Sequence, residues 1–359
     1  MNYLRDDLKD LIPYKAGSTD YKIRLNSNEN PFDLPKETKN RIISKLSKEV
    51  LFNRYPDPDA TLLREGIANQ LCVGKDNILV GSGSDELIQM IINAFVDSDE
   101  AVLCPNPSFS MYNIYTKIGG RVPIEVPLDE SFRYDFDAFL SLGKAHNAKL
   151  AFVCNPNNPT GTTVDVDALR AFVEDFEGIV VIDEAYIEFS EGTAIDFVLG
   201  LENAIVLRTF SKAFGIAGLR VGYITANEDL VKGVGIVKSP YNLNAFSQFA
   251  ARELLRDIDI VKERIAYIIS ERDRLYDKLC RVDSIKVYPP YANFLFIKVK
   301  EPRNIYENLL KKDVLIRSFI GDSVLNNYIR VTIGSREEND TFLREFLKIV
   351  EGAAYNEEK

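Results

Sequence analysis

The chain has a single histidine, His146, and four cysteines, Cys72, Cys104, Cys154 and Cys280, none of them in a CxxC pair. One histidine excludes any site built on two His ligands and leaves a histidine-dependent triad a single candidate. That candidate sits in the polar stretch GKAHNAK, which reads as a surface loop. Cysteines so widely spaced read as free, buried thiols in a reducing cytoplasm, and no metal site is expected. No apolar run reaches the length of a membrane span. The start, MNYLRDDLKDLIPYKAG, lacks the cationic opening and apolar core of a signal peptide. Repeats and low-complexity segments are missing too. So is an excess of positive charge: 54 acidic residues against 44 basic ones give a formal charge of -10. That balance argues against nonspecific binding to nucleic acid or an anionic membrane, while leaving room for a local basic pocket.

What is present is a β/α alternation. The chain has 359 residues, 46% of them hydrophobic, enough for a large α/β domain and a smaller one. Up to about Asn53 the sequence is polar and broken by Pro13, Pro31 and Pro35, which reads as an arm. TLLREGIANQL then predicts a helix, NILVGSG a strand and SDELIQMIINAF a helix. AVLCP, KLAFVCNP, GIVVIDEAY, AIVLRTFS and RVGYITA predict further strands, with helical stretches between the first three. Such continuous apolar strands imply a mainly parallel sheet covered on both faces. A long helical stretch from Ala245 to Val282 reads as one bridging helix or two. KVYPP, NFLFIKV, VLIRS and YIRVTIG follow as strands of a smaller α/β domain. The expected division is an arm over 1–45 that joins the small domain, a large domain over 46–279 and a small domain over 280–359.

Ligands of open α/β sheets collect at the carboxyl ends of the strands. Four strands here end in polar clusters: GSGSDE, CNPNNPTG, DEAY and TFSKAFGIAGLR. Lys212 follows its strand directly, where an unpaired amine costs desolvation energy. Alone, such a lysine is an exposed loop residue. Thr209, Ser211 and Arg220 beside it are donors for a phosphate, and Gly215, Gly218 and Gly222 permit close backbone approach. Together they fit a cofactor bearing both an aldehyde and a phosphate. Gly83, Ser84 and Asp85 open a helix and offer free N–H groups to an anion, although Ser and Asp are also ordinary caps.

SKAFGIAGLRVG resembles the lysine signature of the class II aminotransferases, in the aspartate-aminotransferase fold family (fold type I of pyridoxal-phosphate enzymes). The resemblance extends over nearly the whole chain. It implies a fold-type-I α/β architecture with a mainly parallel large domain, and pyridoxal 5'-phosphate as cofactor. By it Lys212 holds the cofactor as a Schiff base and serves as catalytic base, while Thr209, Ser211 and Arg220 hold the cofactor phosphate. Asp183, ending GIVVIDEAY, would pair with the pyridine nitrogen; otherwise it is a cap or a structural pair. Asn158 and Tyr186 would contact the ring oxygen, although NNPTG alone is also an ordinary turn. Phe109 matches the aromatic stacked on the ring, with a core aromatic as its plain alternative.

Within that group IPYKAG, RLNSNENP, NRYPDP, GSGSDELI, KSPYNLN and the VLIRS/YIRVTIG pair resemble the histidinol-phosphate aminotransferases. The implied reaction passes an amino group between histidinol phosphate and 2-oxoglutarate, in histidine biosynthesis. Arg330 and Arg317 can clamp the anionic substrates. Tyr14 and Asn28 match substrate-pocket residues, and Tyr55 matches a residue reaching the cofactor phosphate of a neighbouring subunit, which implies a homodimer. The rivals are a phospho-amino-acid decarboxylase resembling threonine-phosphate decarboxylase, an aminotransferase for aromatic or other substrates, and a non-catalytic protein keeping the fold.

Overall fold

Strand side chains that alternate between two apolar cores set the architecture. The computed structural model describes residues 3–11 and 20–357; Tyr14 and the IPYKAG segment lie outside the described residues. In chain order the strands are β1 (Ile23–Leu25), β2 (Ile78–Gly81), β3 (Ala101–Asn106), β4 (Val122–Pro127), β5 (Leu150–Cys154) and β6 (Ile179–Asp183). They continue with β7 (Ala204–Thr209), β8 (Gly222–Ala226), β9 (Lys286–Val287), β10 (Phe294–Lys298), β11 (Val314–Ser318) and β12 (Tyr328–Thr332). A seven-stranded sheet has the order β2-β8-β7-β6-β5-β3-β4, and a five-stranded sheet the order β1-β11-β12-β10-β9.

In the larger sheet β8 alone runs against its neighbours, β2 and β7. The remaining pairs are parallel, so the carboxyl ends of β2, β5, β6 and β7 lie along one edge. Cys104, Phe152, Val181, Ile205 and Leu207 face one core with the helix Ser84–Phe95. Leu103, Val153, Val180, Ile182 and Val206 face the other, against Phe139, Leu169 and Phe172. This period of two holds to the strand ends: Asp183 and Thr209 carry on the first face, and Arg208 belongs to the second.

β1 pairs in parallel with β11, Ile23 opposite Val314 and Leu25 opposite Ile316, and so forms an edge of the smaller sheet. Immediately after it, residues 26–30 run into the crevice between the two sheets. The helix Lys36–Glu49, in a segment that the sequence presents only as polar arm, packs Ile42 near Phe249 and Ala250 of the helix Ala245–Leu255. The long helical stretch is two helices, Ala245–Leu255 and Ile258–Leu279.

Two expectations need correction. His146 is exposed, yet it closes the helix Phe136–His146 rather than sitting in a loop. The Asp135 carboxylate caps the start of that helix, Phe139 and Gly143 bury its inner face, and left-handed Asn147 ends it. All four cysteines are free, but only Cys104 and Cys154 are buried. Cys72 and Cys280 are exposed because each follows the last residue of a helix. Among the described residues no helix is long and apolar enough to cross a membrane, and no cluster of three or more His, Cys, Asp or Glu side chains forms a metal cage.

Candidate active site

The polar clusters at the strand ends meet at one edge of the large sheet, facing the small sheet. Asp183 ends β6 and is almost fully buried. Tyr112 donates its hydroxyl to Asp183 Oδ2 at 2.6 Å, and the Ala185 N–H donates to Oδ1 at 3.0 Å. Burial pushes the carboxyl up to about 6, against the pull of those two hydrogen bonds.

Lys212 follows β7 and is half-buried. Its Nζ donates to the Ser27 carbonyl at 2.8 Å and lies 5.9 Å from the centre of the Tyr186 ring. Desolvation, with the Arg330 charge next, brings its pKa down to about 8. A pKa this close to physiological pH leaves a usable fraction of neutral amine, which is a nucleophile and a proton acceptor. Asn30 Nδ2 donates to the Ala213 carbonyl at 3.0 Å, pinning the lysine loop to the segment that follows β1.

The residues expected to hold a phosphate are contiguous. In the sheet Gly222 stands opposite Thr209 on one side and Gly81 on the other. A side chain at Gly222 would lie 2.7 Å from the Ser84 nitrogen. Gly83 has φ +83, and a Cβ there would meet Arg220 Nη2 at 2.5 Å. No side chain caps the helix Ser84–Phe95, so its first N–H groups stay open to an anion. Arg220, itself left-handed at φ 52, pairs with Asp85 at 3.0 Å over that helix end. Thr209 donates its hydroxyl to Ser211 Oγ at 2.9 Å. Phe109 packs edge-on to Tyr112, their ring centres 5.5 Å apart, and Tyr112 stacks on Phe152.

The small sheet brings the guanidinium groups. Arg317 and Arg330 are direct partners across β11 and β12, so both project from the same face. Arg330 donates to Asn158 Oδ1 and, at 2.7 Å, to the Asn26 carbonyl, and it lies over the Phe294 ring. Arg317 lies over the Phe319 ring. Tyr186, buried against Phe294, accepts a hydrogen bond from Asn28 Nδ2 at 2.9 Å. Burial raises its hydroxyl to about 12, against the opposing pull of Arg330 and Asn28.

Residues 20–346 match the model of the family described as aminotransferase class I and II. The chain belongs to that family.

Its relatives among class I and II aminotransferases are close. One from Thermoanaerobacter sp. (strain X514), named histidinol-phosphate aminotransferase, is 44% identical over 340 residues, covering 94% of this chain and 96% of its own length. The crystal structure of histidinol-phosphate aminotransferase from Sinorhizobium meliloti, in complex with pyridoxal-5'-phosphate, superposes with a TM-score of 0.89 at 23% identity, over 98% of this chain and 99% of that one. The enzyme of that name from Clostridium acetobutylicum gives 0.82 at 28% identity, over 92% and 99%. The architecture of this aminotransferase is therefore the fold type I expected from its sequence.

Lys212, Asp183, Tyr186, Asn158, Arg330 and Asn28 thus lie around one crevice, with the Gly83–Ser84–Asp85 turn, Thr209, Ser211 and Arg220 forming the cradle beside it. Tyr55 stands apart. It stacks on Tyr241 with ring centres 4.3 Å apart and is 80% exposed. Sequence reasoning missed Tyr112, the partner that buried Asp183 requires, and Asn30. The signal for Tyr112 was its place three residues after Phe109 at the start of the helix Met111–Ile118. An aldehyde-and-phosphate cofactor fits this donor set: an amine, a buried acid, and a cradle from which side chains at two glycines are excluded.

Proposed function

We propose that this aminotransferase passes an amino group reversibly between L-histidinol phosphate and 2-oxoglutarate, giving imidazole acetol phosphate and L-glutamate, with pyridoxal 5'-phosphate held by Lys212. One observation carries the reading. A lysine with a depressed pKa, a buried acid and an uncapped helix end beside Arg220 converge in a chain of the aminotransferase family. The names of relatives covering almost the whole chain support the choice of substrate. When bound, pyridoxal phosphate supplies an electron sink that acidifies the carbon bearing the substrate amine.

The residues divide the work. Thr209, Ser211, Arg220 and the N–H groups at Ser84 and Asp85 bind the cofactor phosphate. Asp183, oriented by Tyr112, holds charge at the ring nitrogen. Asn158 and Tyr186 hydrogen-bond the ring oxygen, and Phe109 covers one face of the ring. Lys212 Nζ takes the proton from the substrate carbon and returns it on the other side of the amino transfer. Arg330, with Arg317 beside it, binds the phosphate of one substrate and a carboxylate of the other, in turn. Asn28 lines the substrate pocket, and the resemblance assigns Tyr14, outside the described residues, to the same pocket.

Activity as a homodimer and a cytoplasmic location belong to the same reading. Leu51, Phe52, Tyr55, Ile236 and Tyr241 are exposed apolar side chains, and Tyr55 stacks on Tyr241. The loop bearing Tyr55 is tied to this neighbourhood by Lys238, which donates to the Pro58 carbonyl. A second copy covering it would let Tyr55 reach the partner's cofactor phosphate. Four free cysteines fit a reducing compartment.

The test is spectroscopic. Purified with pyridoxal phosphate, the protein should show a visible cofactor band that fades on adding histidinol phosphate and returns with 2-oxoglutarate. A band indifferent to histidinol phosphate would keep the cofactor and overturn the substrate; decarboxylation of a phospho-amino acid is then the next reading to try. A monomer by sedimentation at working concentration would remove the role of Tyr55.

A further inference from the structure

The hydroxyl of Tyr186 has one proton, and its direction depends on which end of the Asn28 amide it meets. Asn28 Nδ2 donates to Tyr186 Oη at 2.9 Å. The phenol oxygen is therefore an acceptor toward Asn28, and its own proton is left to point elsewhere.

Thr332, two residues beyond Arg330 on the same face of β12, turns the amide this way. Thr332 Oγ1 accepts the Asn28 backbone N–H at 2.9 Å and donates to Asn28 Oδ1 at 3.1 Å. Among the described residues Thr332 Oγ1 makes no other hydrogen bond, and Thr332 is 2% exposed. With the amide flipped, Nδ2 would face Oγ1. The threonine proton would then lose its acceptor, an unfavourable change for a buried hydroxyl, and Tyr186 would donate into Asn28 Oδ1. The backbone of Asn28 is fixed as well, at a left-handed φ of 54 and with its carbonyl accepting from Asn293 Nδ2 at 3.0 Å.

We infer that Thr332 is a positioning residue: acting through Asn28, it keeps the proton of Tyr186 available to the cofactor ring oxygen. This rests on the reading that pyridoxal phosphate is held by Lys212. A hydrogen bond to the ring oxygen stabilises its negative charge, which is least compensated once the nitrogen linking Lys212 to the cofactor has lost its proton. Loss of the donor raises the pH at which that nitrogen titrates.

The experiment uses holoenzyme without substrate and reads the pH midpoint of its visible absorption in wild type, Thr332→Val, Thr332→Ala and Thr332→Ser. Valine keeps the shape and removes the hydroxyl; alanine removes it without a new methyl; serine keeps it. The Val and Ala midpoints should rise by about one pH unit, the size of one hydrogen bond to a charged group, and the Ser midpoint should match wild type. Lys212, Arg330, Asp183 and Cys154 also bear on Tyr186 and are the same in every variant. Unshifted Val and Ala midpoints, or a Ser midpoint moved as far as theirs, would overturn the inference. If Val does not fold, Ala decides. A wild-type protein with no cofactor band defeats the underlying reading, and this inference with it, before any variant is compared.

Discussion

Tyr112 donates to Asp183 Oδ2 at 2.6 Å on one face of the large sheet, while on the other face Glu184, the next residue, grips Arg208 of the neighbouring strand at 2.9 and 2.7 Å. The end of β6 is therefore fastened from both sides. An acid that must meet a ring nitrogen in one orientation is held by a phenol in front and an ion pair behind.

That placement has a pH signature. Burial raises Asp183 from an ordinary 3.8 to about 6. Between those values the folded, cofactor-free protein keeps a proton that the unfolded chain has released, so its stability falls as pH rises through the window. The loss is on the order of 3 kcal/mol at most. Asp183→Asn removes it. Thermal melts of the two cofactor-free proteins should show wild type losing ground to the variant from about pH 4 to about pH 6, and holding level above. A difference constant with pH would count against a raised Asp183.

Tyr112→Phe deletes the donor and leaves Oδ2 without its phenol. The expected cost is about 1–3 kcal/mol in stability. The cofactor should also bind more weakly, because Asp183 titrates higher still and ionises less readily. Equilibrium denaturation and cofactor titration measure the two effects separately.

Lys212 is held at about 8, with burial the larger cause and Arg330 the next. In cofactor-free protein its reaction with an amine-acylating reagent, followed residue by residue by mass spectrometry, should therefore rise with a midpoint near that value. Arg330→Gln removes a repelling charge and should move the midpoint upward. A midpoint at the ordinary lysine value in wild type would contradict the environment described for the amine.

Glu184 is fully buried and binds Arg208, Thr193 and the Ala194 N–H. Glu184→Ala leaves a buried guanidinium without the carboxylate it is hydrogen-bonded to, with Glu188 left as the nearby acid, and should cost about 3–5 kcal/mol. A lowered melting temperature reports it.

Gly83→Ala tests the cradle. The new methyl would meet Arg220 Nη2 at 2.5 Å in a left-handed backbone. Affinity for pyridoxal phosphate should fall by about tenfold or more, the equivalent of one lost charge-assisted hydrogen bond, with the circular dichroism spectrum unchanged.

How much of this was legible in the sequence depended on distance along the chain. Lys212, Thr209, Ser211 and Arg220 share one short segment at the end of a continuous apolar strand, so their association could be read directly. Tyr112 and Asp183 are 71 residues apart, and Asn28 and Thr332 are 304 apart. Only the fold joins them, and nothing in their immediate neighbours announces a partner. The helix Lys36–Glu49 escaped for a different reason. It buries only Thr38 and Ile42, so its apolar stripe is too thin to stand out from the polar arm around it. His146 is the reverse case: GKAHNAK reads as a loop, yet its first four residues are the last turn of a helix.

The five residues that leave β1 act as a single switchboard. The Asn26 carbonyl takes Arg330, the Ser27 carbonyl takes Lys212, the Asn28 amide meets Tyr186, and the Asn30 amide holds Ala213. Guanidinium, amine and phenol come from separate parts of the chain, yet they share one strip of backbone, whose position is dictated by the pairing of Ile23–Leu25 with β11. A single residue inserted after Leu25 would put each of these connections out of step at once, while every side chain of the site remained present.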